Sequence, residues 1–110
     1  PRYASHLTVR IGQEKDKLST NYTVNINTGG LYVSTSSLLS VGTILFVEFS
    51  IPGNDKIVCC QARVAWVNEG VSPLKRDLPV GMGLGFVGIS LGEMNDIREY
   101  IKSNALTADW

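Results

Sequence analysis

The sequence has no excess of charge of either sign. Its ten Lys and Arg residues balance its ten Asp and Glu residues, so the formal net charge is zero. A protein that holds duplex nucleic acid or an anionic membrane surface by electrostatic attraction needs a basic excess. We therefore expect neither duplex nucleic acid nor a membrane as a partner, and an anionic ligand would have to be bound by a local site.

Long apolar runs, histidine and cysteine are scarce as well. No apolar stretch approaches the ~20 residues that a membrane helix needs. His6 is the single histidine, and Cys59 and Cys60 are neighbours in a strand pattern that points their side chains to opposite faces. These residues do not assemble a metal cluster, a Cys/His nucleophile pair or a structural disulfide. We expect no catalytic residues, no metal and no cofactor, and a reducing, cytoplasmic location.

What the sequence does contain is period-two alternation of apolar residues, which is typical of half-buried strands. In the second such segment, Tyr22, Val24 and Ile26 are predicted to share one face, with Thr23 and Asn25 on the other. The charged segment 12–19 is predicted to be a loop. Six strands are predicted in all, with a turn at residues 52–55 that joins the fourth to the fifth: 6–11, 22–26, 31–35, 43–51, 56–67 and 80–89.

Two of the predicted strands contain residues that need an explanation. Trp66 shares the predicted core face of the fifth strand with Val64, and the sixth strand has glycine at every second position from Gly81 to Gly85. A dinucleotide fingerprint would need a strand followed at once by a helix, and that context is absent. We interpret these glycines as sites of close strand packing.

A helix is predicted after the last strand. Ser90 and Glu93 have the spacing of a capping box, and an apolar stripe at helical spacing follows with Met94, Ile97 and Ile101. Residues 104–110 are predicted to be a frayed tail. Short strands followed by one helix predict a single domain, a small antiparallel barrel whose end or side is closed by the helix.

The polar segment 25–30, Asn25-Ile26-Asn27-Thr28-Gly29-Gly30, interrupts this pattern between two strands. One interpretation is a plain turn, in which Gly29 and Gly30 supply any positive φ that is needed. The other is a ligand cradle, in which alternate asparagine side chains and unhindered glycine N–H groups face phosphate oxygens or base edges. The residue types alone do not decide between a plain turn and a ligand cradle.

Several motifs follow one another along the chain: Arg2, Asn25-x-Asn27-x-x-Gly30, Leu31-Tyr32-Val33, Val41-Gly42-Thr43, Phe49-x-Ile51-Pro52-Gly53, Val64-x-Trp66-Val67-Asn68 and Pro79-Val80-Gly81-Met82-Gly83-Leu84-Gly85-Phe86. In this order and spacing they resemble a PilZ domain over nearly the whole chain. The resemblance implies a mainly β fold, a six-stranded antiparallel PilZ-type β-barrel with a C-terminal α-helix over residues 1–103. It also implies a receptor for the bacterial second messenger cyclic di-GMP.

The resemblance further implies two ligand motifs, R-x-x-x-R and [DN]-x-S-x-x-G. Asn25 and Gly30 match the second motif, whereas Asn27 stands in the serine position. Arg2 matches either the second arginine, with the first lying before Pro1, or the first arginine, with His6 in the place of the second. The expected ligand-binding residues are Arg2, Asn25, Asn27, Gly29 and Gly30, with His6 as a weaker candidate.

Three functions compete at this point. The first is a cyclic di-GMP receptor or adaptor that relays the level of the messenger to a protein partner or an adjoining domain. The second is a divergent PilZ domain that does not bind the nucleotide and serves as an interaction module in motility or surface behaviour. An oligonucleotide-binding barrel comes third, because the net charge is zero and no exposed strand interleaves aromatic with basic residues. Enzymatic activity is not expected.

Overall fold

The computed structural model describes residues 3–53, 56–69 and 78–103. Six long strands form an antiparallel barrel in the order β3-β2-β5-β6-β7-β4, and pairing between β4 and β3 closes it. A two-residue strand, β1, continues the barrel along β3 beyond the start of β2. The predicted six-stranded barrel with a C-terminal helix is confirmed. The elements are β1 (Tyr3–Ala4), β2 (Thr8–Glu14), β3 (Lys17–Asn27), β4 (Gly30–Ser34), β5 (Ile44–Ser50), β6 (Ile57–Asn68), β7 (Gly81–Gly88) and α1 (Leu91–Ser103).

The predicted loop over residues 12–19 is wrong, because β2 and β3 form a hairpin that continues through most of it. Only Lys15 and Asp16 form the turn, and Glu14 pairs with Lys17 across the hairpin. Their side chains form an ion pair with 3.3 Å between Nζ and Oε2. The hairpin tip is exposed to solvent on both faces, so its strands carry charged residues and lack the apolar alternation that marks a half-buried strand.

The barrel core consists of the inward-facing residues that alternation predicted for most strands. In β2 and the residue before it, Leu7, Val9 and Ile11 are buried as predicted. On the remaining long strands the buried apolar residues of the core cluster are Ile26, Leu31, Val33, Leu45, Val47, Phe49, Val58, Cys60, Ala62, Val64, Met82 and Leu84. Helix α1 adds Ile97 and Tyr100 and packs against β3. Removal of these apolar side chains from water is the main stabilising contribution to the fold.

A bulge in β3 changes which of its residues face inward. Thr23 pairs with Val33 but Asn25 pairs with Tyr32, so Val24 is the extra residue. Beyond such an insertion the side-chain alternation is shifted by one position. As a result Tyr22 is 48% exposed, whereas Thr23 and Asn25, which were predicted to face away from the core, are buried. Ile26 is buried as predicted.

A second bulge, between Val64 and Trp66 on β6, moves Trp66 out of the predicted core face. Its indole covers Gly83, where a Cβ atom would overlap the ring, and it stacks on Tyr32 with ring centroids 5.1 Å apart. A Cβ atom at Gly81 would overlap the carbonyl oxygen of Val33 on β4 and would also press on the Tyr32 ring. The prediction that these glycines serve close packing is confirmed for Gly81 and Gly83, which meet aromatic rings on the outer side of the sheet. It is wrong for Gly85, where a Cβ atom would meet nothing within 4 Å.

The predicted capping box at the start of α1 is confirmed. The N–H of Glu93 donates to Ser90 Oγ at 3.1 Å, and the N–H of Ser90 donates to Glu93 Oε1 at 3.3 Å. Glu93 Oε2 also accepts the N–H of Cys59 on β6 at 2.9 Å, so the cap ties the helix to the barrel. Lys56 and Asp96 form a further ion pair at 3.9 Å. The predicted tail over residues 104–110 lies outside the described residues.

Candidate functional site

The segment 25–30 forms the tight connection between β3 and β4. Asn27 pairs with Gly30, so only Thr28 and Gly29 lie in the turn. The side chain of Asn27 is half-buried, and its Oδ1 accepts the N–H of Gly29 at 2.8 Å. An asparagine that bonds the backbone two residues ahead forms an Asx turn, which holds the loop without help from other elements.

The expectation that Gly29 and Gly30 supply positive φ is wrong. The described glycines with positive φ are Gly42, at 95°, and Gly53, at 79°. Gly30 is needed for a different reason, because a Cβ atom there would overlap the carbonyl oxygen of Leu84 on β7. The N–H of Phe86 also donates to the carbonyl of Gly29 at 2.8 Å. The turn is therefore pressed against β7 and fixed in place.

Gly29 differs from its neighbour because it is exposed. The nearest atom to a Cβ built at Gly29 is Asn27 Oδ1, at an ordinary contact distance of 3.4 Å. No other part of the described chain covers this face of the turn within 4 Å of that position. Asn27, Thr28 and Gly29 thus form the accessible rim of the turn, and Thr28 is a member of this rim that the motif comparison did not single out.

Asn25 lies behind the rim and not on it. Its side chain has no exposed surface, and its backbone pairs with Tyr32 on one side and with Ala4 on the other. Asn25 pairs with Tyr32 and is followed by the core residue Ile26, so its side chain lies on the same side of the sheet as Tyr32 and is buried there.

The N-terminal segment runs beside this motif. Tyr3 pairs with Ile26 and Ala4 pairs with Asn25, so β1 leads the chain along the strand that ends in the turn. Arg2, one of the expected ligand-binding residues, lies outside the described residues. In sequence Arg2 directly precedes Tyr3.

His6 does not adjoin the turn. It is exposed and stacks on Tyr22, with ring centroids 5.1 Å apart and ring planes 6° from parallel. Tyr22 precedes Asn27 by five positions on the same strand, which corresponds to a distance on the order of 15 Å. The structure therefore brings Asn27, Thr28 and Gly29 together and places His6, which lies between β1 and β2, beside Tyr22 at another part of β3.

Two residues that sequence reasoning missed hold the N-terminal segment in place. The hydroxyl of Thr23 donates to the carbonyl of Ser5 at 2.6 Å and accepts the N–H of Leu7 at 2.8 Å. Thr23 and Ser5 are both buried. No local sequence signal marks this arrangement, because it depends on the bulge and on pairing between distant segments.

The two thiols lack the activation that a nucleophile needs. Burial, and then the charges of Glu48 and Glu93, raise the pKa of Cys59 above its ordinary value. Burial, with smaller contributions from Glu93 and Cys59, raises the pKa of Cys60 to about 12. A reactive cysteine needs the opposite shift.

The described part of the chain contains no group of three or more His, Cys, Asp and Glu side chains placed to hold a metal ion. Its helix is also too short and too polar to cross a membrane.

The family model for the PilZ domain matches residues 1–103. The fold is similar to that of the inhibitor of motility MotI/DgrA from Bacillus subtilis, with a TM-score of 0.73 and 20% identity over 94% of this chain and 49% of that one. This chain therefore spans about half the length of that protein. It is also similar to the PilZ domain of CeSA from a cellulose-synthesizing bacterium, with a TM-score of 0.64 and 15% identity over 96% of this chain and 98% of that one. No curated protein sequence matches the chain.

Proposed function

Because the chain belongs to the PilZ domain family, a family of cyclic di-GMP receptors, we propose that it binds cyclic di-GMP at the β3–β4 turn. In this proposal Asn27, Thr28 and Gly29 form the barrel side of the site. Arg2 contributes a guanidinium from the N-terminal segment. The protein acts by binding in the cytoplasm and carries out no catalysis.

The observation that supports the proposal best is the orientation of the Asn27 carboxamide. The family motif has serine here, and asparagine differs because it brings an acceptor as well as a donor. The acceptor, Oδ1, is already bonded to the N–H of Gly29 inside the turn. The NH2 group is the remaining end of the side chain, and it can donate to a phosphate oxygen as a serine hydroxyl would.

The other predicted residues take different roles in the proposal. Asn25 and Gly30 are buried, so we infer that they shape the turn and do not contact the ligand. Gly29 keeps the rim free of side-chain bulk, so a nucleotide can approach the backbone. Arg2 pairs with a phosphate or with the O6 and N7 atoms of a guanine, which suits the planar guanidinium. His6 is too far along β3 to belong to this contact set.

Binding at this position suits a relay. Arg2 directly precedes β1, and β1 pairs with the strand that carries the turn. A ligand held between Arg2 and Asn27 would order the N-terminal segment against the barrel. We propose that a protein partner or an adjoining domain responds to that change.

A second candidate function is supported by the burial of Asn25, which removes one of the expected polar contacts from the surface. In this alternative the domain does not bind the nucleotide and is an interaction module, in motility or in surface behaviour. The structural similarity to an inhibitor of motility is compatible with it, although at 20% identity that similarity supports the fold alone.

The substitution Asn27→Asp tests the receptor proposal. Aspartate keeps an Oδ1 acceptor for the N–H of Gly29, so the turn is expected to survive. It replaces the NH2 donor by a negative charge facing phosphate. Loss of a hydrogen bond to a charged group costs about 1.5–3 kcal/mol, so we expect the affinity for cyclic di-GMP, measured by calorimetry, to fall more than tenfold.

Gln13→Glu is the matched control, because it introduces the same charge at the exposed far end of the β2–β3 hairpin. It is expected to leave the affinity unchanged. Asn27→Ser, which restores the family residue, is expected to bind at least as tightly as the original chain. If the original chain does not bind cyclic di-GMP at millimolar concentration, the receptor proposal is wrong and the interaction module becomes the better explanation.

A further inference from the structure

Ser5 connects three parts of the molecule, although it belongs to no strand. It lies between β1 and β2 and is 8% exposed. Its N–H donates to the carbonyl of Val24 at 3.0 Å, and its carbonyl accepts the hydroxyl of Thr23 at 2.6 Å. Its backbone is thereby bonded to β3 at the bulge, immediately before Asn25.

The side chain of Ser5 points to the helix. The hydroxyls of Ser5 and Tyr100 are hydrogen-bonded at 2.8 Å, and both residues are buried. Tyr100 lies in the last turn of α1, next to Ile101, which packs against the core. A hydrogen bond between two buried hydroxyl groups is sensitive to geometry, because either group loses a partner if the other moves.

The two ends of α1 are held differently. Near its start, Glu93 accepts a hydrogen bond from the backbone of Cys59 on β6, and Asp96 pairs with Lys56, which directly precedes β6. Both contacts hold the helix to the β5–β6 side of the barrel. Near its end, Tyr100 bonds Ser5, which belongs to the segment that leads into the proposed ligand site. The second contact is a side-chain hydrogen bond that joins the helix to the N-terminal segment.

We propose that Tyr100 is a positioning residue for the cyclic di-GMP site, acting through Ser5, and that ligand binding is transmitted to the end of α1 by the same hydrogen bond. This inference rests on the function proposed above. Tyr100 does not touch the ligand. It fixes Ser5, and Ser5 fixes β1 beside Ile26 and Asn25. Coupling of this kind is reciprocal, so a ligand that orders β1 also changes the environment of Tyr100.

The test combines three variants with two measurements. Tyr100→Phe and Ser5→Ala each remove one hydroxyl of the pair, and the double variant removes both. We expect each single variant to bind cyclic di-GMP on the order of fivefold more weakly. The double variant is expected to bind cyclic di-GMP no more weakly than the weaker-binding single variant, because either single change already breaks the hydrogen bond. The second measurement is the ligand-induced amide NMR shift of residues 97–103, which should saturate with the ligand in the original chain and be lost in Tyr100→Phe.

Tyr32→Phe is the matched control. It also removes a buried tyrosine hydroxyl, which donates to the carbonyl of Pro79 away from the N-terminal segment. We expect it to destabilise the fold without changing the affinity or the helix shifts. If Tyr100→Phe fails to fold, Ser5→Ala still tests the proposal, because it breaks the same hydrogen bond by removing the serine hydroxyl.

The possible results separate the two proposals. If the original chain binds, but its helix amides do not shift and Tyr100→Phe and Ser5→Ala keep full affinity, the coupling is wrong and the receptor function stands. If Tyr32→Phe weakens binding as much as Tyr100→Phe does, the effect is general destabilisation and the coupling is again wrong. If the original chain does not bind, both proposals are wrong.

Discussion

The β3–β4 turn and strand β7 are both rich in glycine, and they use it in opposite ways. On β7, Gly83 and Gly81 are buried under the rings of Trp66 and Tyr32. In the turn, Gly29 is exposed and has only Asn27 Oδ1 near the position of a Cβ atom. Gly81 and Gly83 are therefore required by the protein's own packing, whereas Gly29 leaves an open surface that a ligand can use.

Gly30 resembles both regions. In sequence it belongs to the motif of the turn, but in the structure it is packed against β7, as Gly81 and Gly83 are packed against their neighbours. A Cβ atom there would overlap the backbone carbonyl of Leu84. We expect Gly30→Ala to have a larger effect on stability than Gly83→Ala or Gly29→Ala, because β4 would have to separate from β7. The expected loss is about 3 kcal/mol in the free energy of unfolding, measured by urea denaturation. A loss below about 0.5 kcal/mol, the range of an ordinary surface substitution, would show that the strands can separate without cost.

Gly83→Ala is expected to have the next largest effect. The overlap is with the Trp66 ring and not with backbone, and Trp66 is only partly buried, so the ring can rotate away. We expect a loss of about 2 kcal/mol in the free energy of unfolding, together with a shift in tryptophan fluorescence as the stack on Tyr32 opens. Retention of both the fluorescence spectrum and the stability would contradict the packing role.

Gly29→Ala should have the smallest effect on stability and a clear effect on binding. The added methyl group makes only an ordinary contact, so we expect the free energy of unfolding to change by less than about 0.5 kcal/mol. The methyl group occupies the rim that the ligand approaches, so the affinity for cyclic di-GMP should fall. Gly92→Ala is the control, since the atom nearest to a Cβ there is Ser90 Oγ at 3.9 Å and the residue lies on α1, away from the turn. Equal affinity of the two variants would mean that Gly29 is a plain turn residue.

Alternation predicted the strands well where one face is buried and the other solvated. The buried residues Val9, Val47, Val58 and Met82 all follow it. It failed on β3, where the bulge at Val24 exchanged the faces of Tyr22 and Thr23. A bulge is an outcome of pairing between strands, and β3 is paired with β1, β2 and β4 at once. The alternation of apolar residues within one strand therefore cannot predict the bulge.

The candidate site was predicted to a similar degree. The motif located the turn, and the residues of its rim include Asn27 and Gly29, whose role in ligand binding stays a prediction. The sequence could not tell that Asn25 is buried or that Gly30 is required by Leu84, because both depend on neighbours that are distant along the chain. It also gave no sign of the hydrogen bond between Ser5 and Tyr100, whose residues are 95 positions apart.

The sequence by itself determined the number of long strands, the capped helix and the position of the polar turn, because alternation, capping and turn chemistry are local properties of neighbouring residues. The order and spacing of its motifs also carried the resemblance to the family that the family model then showed. Only the tertiary structure decided which polar residues of the motif reach the surface and which glycines are covered. Those outcomes depend on strand register and on bulges, and these are set by the simultaneous packing of all the strands around one core.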